Sequence, residues 1–190
     1  GGEGMYGVIT ELTLRLIPKP RETWGIAFFF ENPEDGMSFA DQLKATSFDV
    51  QRARLAAIEY LDQTVINTLE LHHPMTTRFN QPPDIVRHAS TLVYVEIHGN
   101  QEDALEEIAQ TLMTIASSYK GDPDKAWAFS GEPEIEKMRN YLHAAAETVI
   151  LHIANIRSKD ARITRLGLDI SLEKDRLKTL VRRWEKLLQK

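Results

Sequence analysis

The chain has 190 residues, a formal charge of −5 and no cysteine. Disulfides, thiolate nucleophiles and cysteine-bound metals are therefore excluded, and the acidic balance lacks the basic footprint of a nucleic-acid binder. A 42% hydrophobic share is enough for one medium core, and no apolar run approaches the roughly 20 residues of a membrane span. Neither a signal peptide nor a transmembrane segment is apparent, and a cysteine-free chain suits a cytoplasmic protein.

Four glycines, Gly1, Gly2, Gly4 and Gly7, open the sequence. They lead into an alternating run in which Ile9, Leu12, Leu14 and Leu16 are apolar and Thr10, Glu11, Thr13 and Arg15 are polar. This pattern predicts a β-strand that ends at Pro18 and Pro20. On the residues alone, the segment reads equally as an ordinary hairpin turn. Trp24 to Phe30 predicts a buried strand, because aromatic residues cluster there without charge. Asn32 then caps a helix with Pro33 at its first position and Met37, Ala40 and Leu43 on its apolar side.

Leu55 to Leu61 predicts a second strand, and Asp62 caps a short helix carrying Val65, Ile66 and Leu69. Residues 72 to 88 hold three prolines and read as an irregular excursion. Thr91 to His98 is the clearest strand. Leu92, Tyr94, Glu96 and His98 share one face, and Val93, Val95 and Ile97 share the other. Asn100 is expected to cap the next helix, with Asp103 three residues on. That helix carries Leu105, Ile108, Leu112 and Ile115 and stops at Gly121. Lys125 to Phe129 predicts a short edge strand, and Pro133 opens a long helix with Ile135, Met138, Leu142, Val149 and Ile153 along one side. Arg162 to Ile170 can form a last strand. Ser171 would cap a terminal helix whose stripe is Leu177, Leu180, Val181, Trp184 and Leu187.

Single strands between helices suggest an α+β fold. The expected form is a mainly antiparallel sheet with helices packed on one face, in the rhythm of two ferredoxin-like halves.

Candidate chemistry is sparse. The six histidines, His72, His73, His88, His98, His143 and His152, show no metal-ligand spacing, so no metal site is expected. His98 reads as a structural or exposed residue at a strand end. Glu59 and Asp62 could form an acid–base pair, but a strand-end carboxylate followed by a helix cap is the commoner arrangement. Glu96 reads as a solvent-face residue rather than a catalytic one. The basic residues of the last helix, Arg176, Lys178, Arg182, Arg183 and Lys186, read as a solvated face. The glycines precede a strand rather than opening a helix, which does not support a nicotinamide-binding turn.

Gly2-Glu3-Gly4, then Gly7-Val8-Ile9-Thr10-Glu11, Thr13-Leu14-Arg15-Leu16 and Pro18-Lys19-Pro20 resemble the closing segment of the flavin domain in FAD-linked oxidases of the vanillyl-alcohol oxidase superfamily. D-lactate dehydrogenases and glycolate oxidase belong to that group. Ala57 to Asp62, Leu92 to Gly99, Leu142 to Val149 and Ile163 to Ile170 resemble, in order, segments of the same family's cap domain. The resemblance implies residues 1–20 as the last strand of a FAD-binding domain and 21–190 as a C-terminally truncated substrate or cap domain with a ferredoxin-like sheet. It also implies an excised piece of a longer protein, inactive alone.

The whole protein would use FAD to oxidise a 2-hydroxy acid or related alcohol and pass electrons to an unidentified acceptor. A homo-oligomer is compatible with this reading. Gly2, Gly4, Gly7, Val8 and Ile9 would approach the flavin, and His143 would lie near substrate. Leu142 stands where the family carries a carboxylate-binding arginine, and Ala146 replaces the family's helix proline. The family's C-terminal histidine-rich stretch has no counterpart. The alternative is a non-enzymatic ferredoxin-like module that binds a partner or effector.

Overall fold

The computed structural model describes residues 5–48, 51–72, 89–164, 167, 170, 172 and 176–188; for Glu70 and His72 it describes the backbone alone. Four strands and five α-helices follow in the order β1 (Glu22–Phe30), α1 (Pro33–Ala45), β2 (Ala53–Asp62), α2 (Gln63–His72), β3 (Thr91–Gly99), α3 (Glu102–Ser118), β4 (Trp127–Ser130), α4 (Glu132–Arg157) and α5 (Leu177–Leu188). The sheet order is β2-β3-β1-β4 and every adjacent pair is antiparallel. This is the ferredoxin-like arrangement, with β3 lying between the two strands that α1 connects.

The alternation of β1 explains its aromatic run. Ile26, Phe28 and Phe30 point to one face and Ala27 and Phe29 to the other. The first set meets α1 and α3, where Phe39 packs 5.0 Å from the Phe28 ring in an edge-to-face contact and 5.3 Å from Phe30. Val93, Val95 and Ile97 of β3 and Leu105, Ile108 and Leu112 of α3 complete this core. The helix-covered face expected of the sheet is thus formed by α1 and α3. The opposite face is covered as well. Ile66 and Leu69 of α2 and Met138, Tyr141 and Ala144 of α4 pack over Phe29, Leu92 and Tyr94. The central strand is consequently buried on both sides.

Local signals explain most element ends. The Asn32 side chain accepts the Glu34 amide at 3.0 Å, and Asp62 Oδ1 accepts the Val65 amide at 2.9 Å, as their caps predict. The expected Asn100 cap is absent: Gln101 occupies the cap position of α3 without a side-chain bond. Asn100 Oδ1 instead accepts the Arg21 amide at 3.3 Å, and Asp103 is engaged by Arg52 Nη2 at 2.6 Å. Helix α3 ends at Ser118, three residues before Gly121, and the turn beyond it is closed by bonds from the Lys120 and Gly121 amides to the carbonyls of Ser117 and Ala116. Here Lys120 takes the left-handed conformation, at φ 62°. Gly121 is needed for clearance, because a Cβ there would lie 2.8 Å from Phe30 Cε1.

The alternating segment after Gly7 pairs with no strand. Residues 7–20 are irregular, and Ile9, Leu12, Leu14 and Leu16 are 67–88% exposed. Alternation gives a strand only where a sheet edge accepts its ladder, and this segment is laid along neither edge strand of the described sheet, β2 or β4. The last predicted strand falls partly outside the described residues; Arg162, Ile163, Thr164, Gly167 and Ile170 are not in a strand. Ser171 also lies outside them. So do Gly2, Gly4, His73, His88 and nearly all of the 72–88 excursion.

Candidate functional site

The densest group of charged side chains inside the fold is one that sequence reasoning missed. Glu96 stands in β3 opposite Gly25 of β1, on the face covered by α4, and is 4% exposed. A lone carboxylate in that position would be costly, so it must be paired. Arg139 of α4 meets it as a fork, with Nε 2.9 Å from Oε2 and Nη2 2.5 Å from Oε1. His98 Nε2 lies 2.6 Å from Oε1, and the Tyr94 hydroxyl donates to Oε2 at 3.2 Å. An ionised carboxylate only accepts, so His98 carries its proton on Nε2. The His98 Nδ1 atom is buried without a partner. Arg139 also reaches Glu132, 3.6 Å away.

The solvent-face reading of Glu96 is thereby overturned. The strand is buried on both sides, so no face was left for water. Burial pushes the Glu96 carboxyl up, but the bonds from Arg139 and His98 more than offset this and hold it below its ordinary range. Burial, reinforced by the Glu96 charge, pushes the Tyr94 phenol up. Tyr94 therefore stays a neutral donor.

Gly25 makes this group possible. A Cβ there would lie 2.5 Å from the Tyr94 hydroxyl, 2.7 Å from its ring and 2.9 Å from Ile135 Cδ1. Gly25→Ala is expected to cost about 1–3 kcal/mol through forced repacking. A fall in the thermal midpoint, together with a perturbed Tyr94 resonance, would check it.

The predicted site residues lie elsewhere. His143 is exposed on α4, one helical turn beyond Arg139 and on the same side of the helix. Leu142 is half-buried and packs into the cluster beneath α4. Leu142, which stands where the resemblance would put a carboxylate-binding arginine, has Arg139 three residues before it, but that cation is occupied by Glu96. Glu59 is exposed and Asp62 is a helix cap, so the two do not form a paired acid–base site.

Gly7 has φ 128°, with open space where a Cβ would stand, and Val8 and Ile9 are 89% and 80% exposed. An exposed backbone of this kind can lie against a flat ring. No described residue encloses it, however, so the described chain does not by itself build a flavin pocket. Among the described residues no group of three His, Asp or Glu side chains could hold a metal, and no helix is long and apolar enough to cross a membrane.

A signal for the central cluster was present in the sequence. Glu96 is the sole charge between Leu92 and Ile97, and a two-sided apolar strand demands a cation for it. Nothing in the sequence selects Arg139 from the 23 lysines and arginines.

No protein-family profile matches the chain. A D-lactate dehydrogenase of Anaerostipes hadrus is 28% identical to it over 112 residues. The match covers 58% of this chain and 22% of that protein, so the chain spans only about a fifth of the length of its relative.

Proposed function

We propose that the chain is the substrate-covering (cap) domain of a FAD-linked oxidoreductase that oxidises a 2-hydroxy acid or a related alcohol. The observation that carries this reading is the ferredoxin-like antiparallel sheet, with the resembling segments following one another along it: β2, β3 and α4 in order. The similarity to a D-lactate dehydrogenase points to the same class of chemistry. FAD would supply the redox step in the whole protein. This chain's own contribution is to cover and shape the substrate space. The Glu96–Arg139 pair fixes α4 against the sheet, and His143, exposed on α4, would face the substrate in this reading.

Residues 7–20 fit the role of a strand belonging to a neighbouring flavin domain, since their apolar side chains are exposed and unpaired by the described sheet. Gly2 and Gly4 would extend the same backbone contact. The test is to purify the full-length protein and the isolated chain and measure FAD per polypeptide. The full-length protein is expected to retain about one FAD, as a resident cofactor does, and the isolated chain none. A stoichiometric flavin complex of the isolated chain overturns the proposed division of labour.

A further inference from the structure

Helix α5 is joined to the fold in an unusual way. Its apolar residues Leu177, Leu180, Val181, Trp184, Leu187 and Leu188 fall within an arc of about 120° at 100° per residue. The opposite side is cationic. Residues 176–188 carry five lysines and arginines and one acid, in a chain whose net charge is −5. Yet no residue of α5 is buried. Its first turns only half-cover their apolar residues, and Leu187 and Leu188 are 67% and 73% exposed. Polar clasps tie it to α1: Arg182 forks onto Glu34 at 2.8 and 2.9 Å, and Lys178 donates to the Ser38 hydroxyl at 2.7 Å. Arg183 and Lys186 are exposed.

We propose that α5 is a releasable membrane-surface helix that docks on anionic lipid headgroups. A large apolar moment, low mean hydropathy, a cationic face and a tryptophan within the apolar arc are the properties that place a helix in the headgroup plane. The basic face selects anionic lipid. Glu34 is the intramolecular competitor: it occupies Arg182 and keeps α5 on α1. Release exposes the whole arc and frees the cation together.

The experiment uses the full-length protein, with the 190-residue chain beside it, and vesicles of phosphatidylcholine alone or mixed with phosphatidylglycerol, read by co-sedimentation. Binding by the isolated chain but not by the full-length protein would mean that the rest of the protein covers the arc, and overturns the proposal. Binding is expected for the anionic vesicles only, and it weakens as salt rises. Each cation contributes about fivefold near such a surface, so R183Q/K186Q is expected to bind about 25-fold more weakly. Both side chains are exposed, so an unchanged thermal midpoint is expected and confirms folding. Glu34→Gln is expected to tighten binding by releasing the clasp. Absence of binding to anionic vesicles overturns the proposal, as does equal binding by R183Q/K186Q. Concentration-dependent self-association that is lost in Leu187→Ser would assign the apolar arc to a second copy of the chain and overturn it too.

Discussion

Arg139→Met is expected to lower the stability of the folded chain by about 2–4 kcal/mol. The substitution keeps the aliphatic stem but leaves Glu96 ionised and buried with only His98 and Tyr94 as donors. Breaking a fully buried pair costs about 3–5 kcal/mol, and the lower figure reflects the partial exposure of Arg139, whose side chain is 35% accessible. Glu96→Gln should cost less, about 1–2 kcal/mol, because the cation left behind can reach water. Adding Glu96→Gln to Arg139→Met removes the stranded charge and should recover part of the loss, a non-additivity that a double-mutant cycle measures directly.

The acid limb gives an independent check. Glu96 titrates lower in the folded state than in the unfolded chain. Its contribution is therefore fully present above the ordinary glutamate range and is lost as pH falls through the folded value. The stability of Glu96→Gln should fall less steeply below about pH 4.5 than that of the wild type. Denaturant midpoints measured across that range would settle the point. Equal acid slopes would contradict the assignment.

Phe39→Ala is expected to cost about 3–5 kcal/mol, the range for deleting a buried aromatic ring. Phe39 is fully buried and touches the rings of Phe28 and Phe30, so α1 would lose its main anchor on the sheet. The cavity would lie between a strand and a helix that β1 and α1 hold in fixed register, so collapse around it is limited. Leu14→Ala is the control. At 69% exposure it should shift the denaturant midpoint by no more than about 0.5 kcal/mol equivalent. A comparable loss for both variants would mean that residues 7–20 pack somewhere in solution.

What the sequence made legible follows the reach of its signals. The Asn32 and Asp62 caps act within three residues, and both stand as expected. The alternation in β3 correctly divided Val93, Val95 and Ile97 from Leu92 and Tyr94. It could not say that the second face was covered too, because that depends on α2 and α4 arriving from distant parts of the chain. The same blindness put Glu96 in water. The Asn100 cap failed because Arg21, 79 positions away, takes its side chain. Ile9 to Leu16 show the converse. Their pattern is strand-like, but a strand is a property of a pair, and these residues pair with neither edge of the described sheet.

The claim that this chain covers the substrate of a flavin-linked oxidoreductase is tested most directly by anaerobic addition of 2-hydroxy acids, D-lactate first, to the purified full-length protein. A bound FAD is expected, with visible absorption that bleaches on mixing with at least one of these substrates. A full-length protein that carries no flavin, or whose flavin stays oxidised with every 2-hydroxy acid and related alcohol, would contradict it and favour a ferredoxin-like binding module.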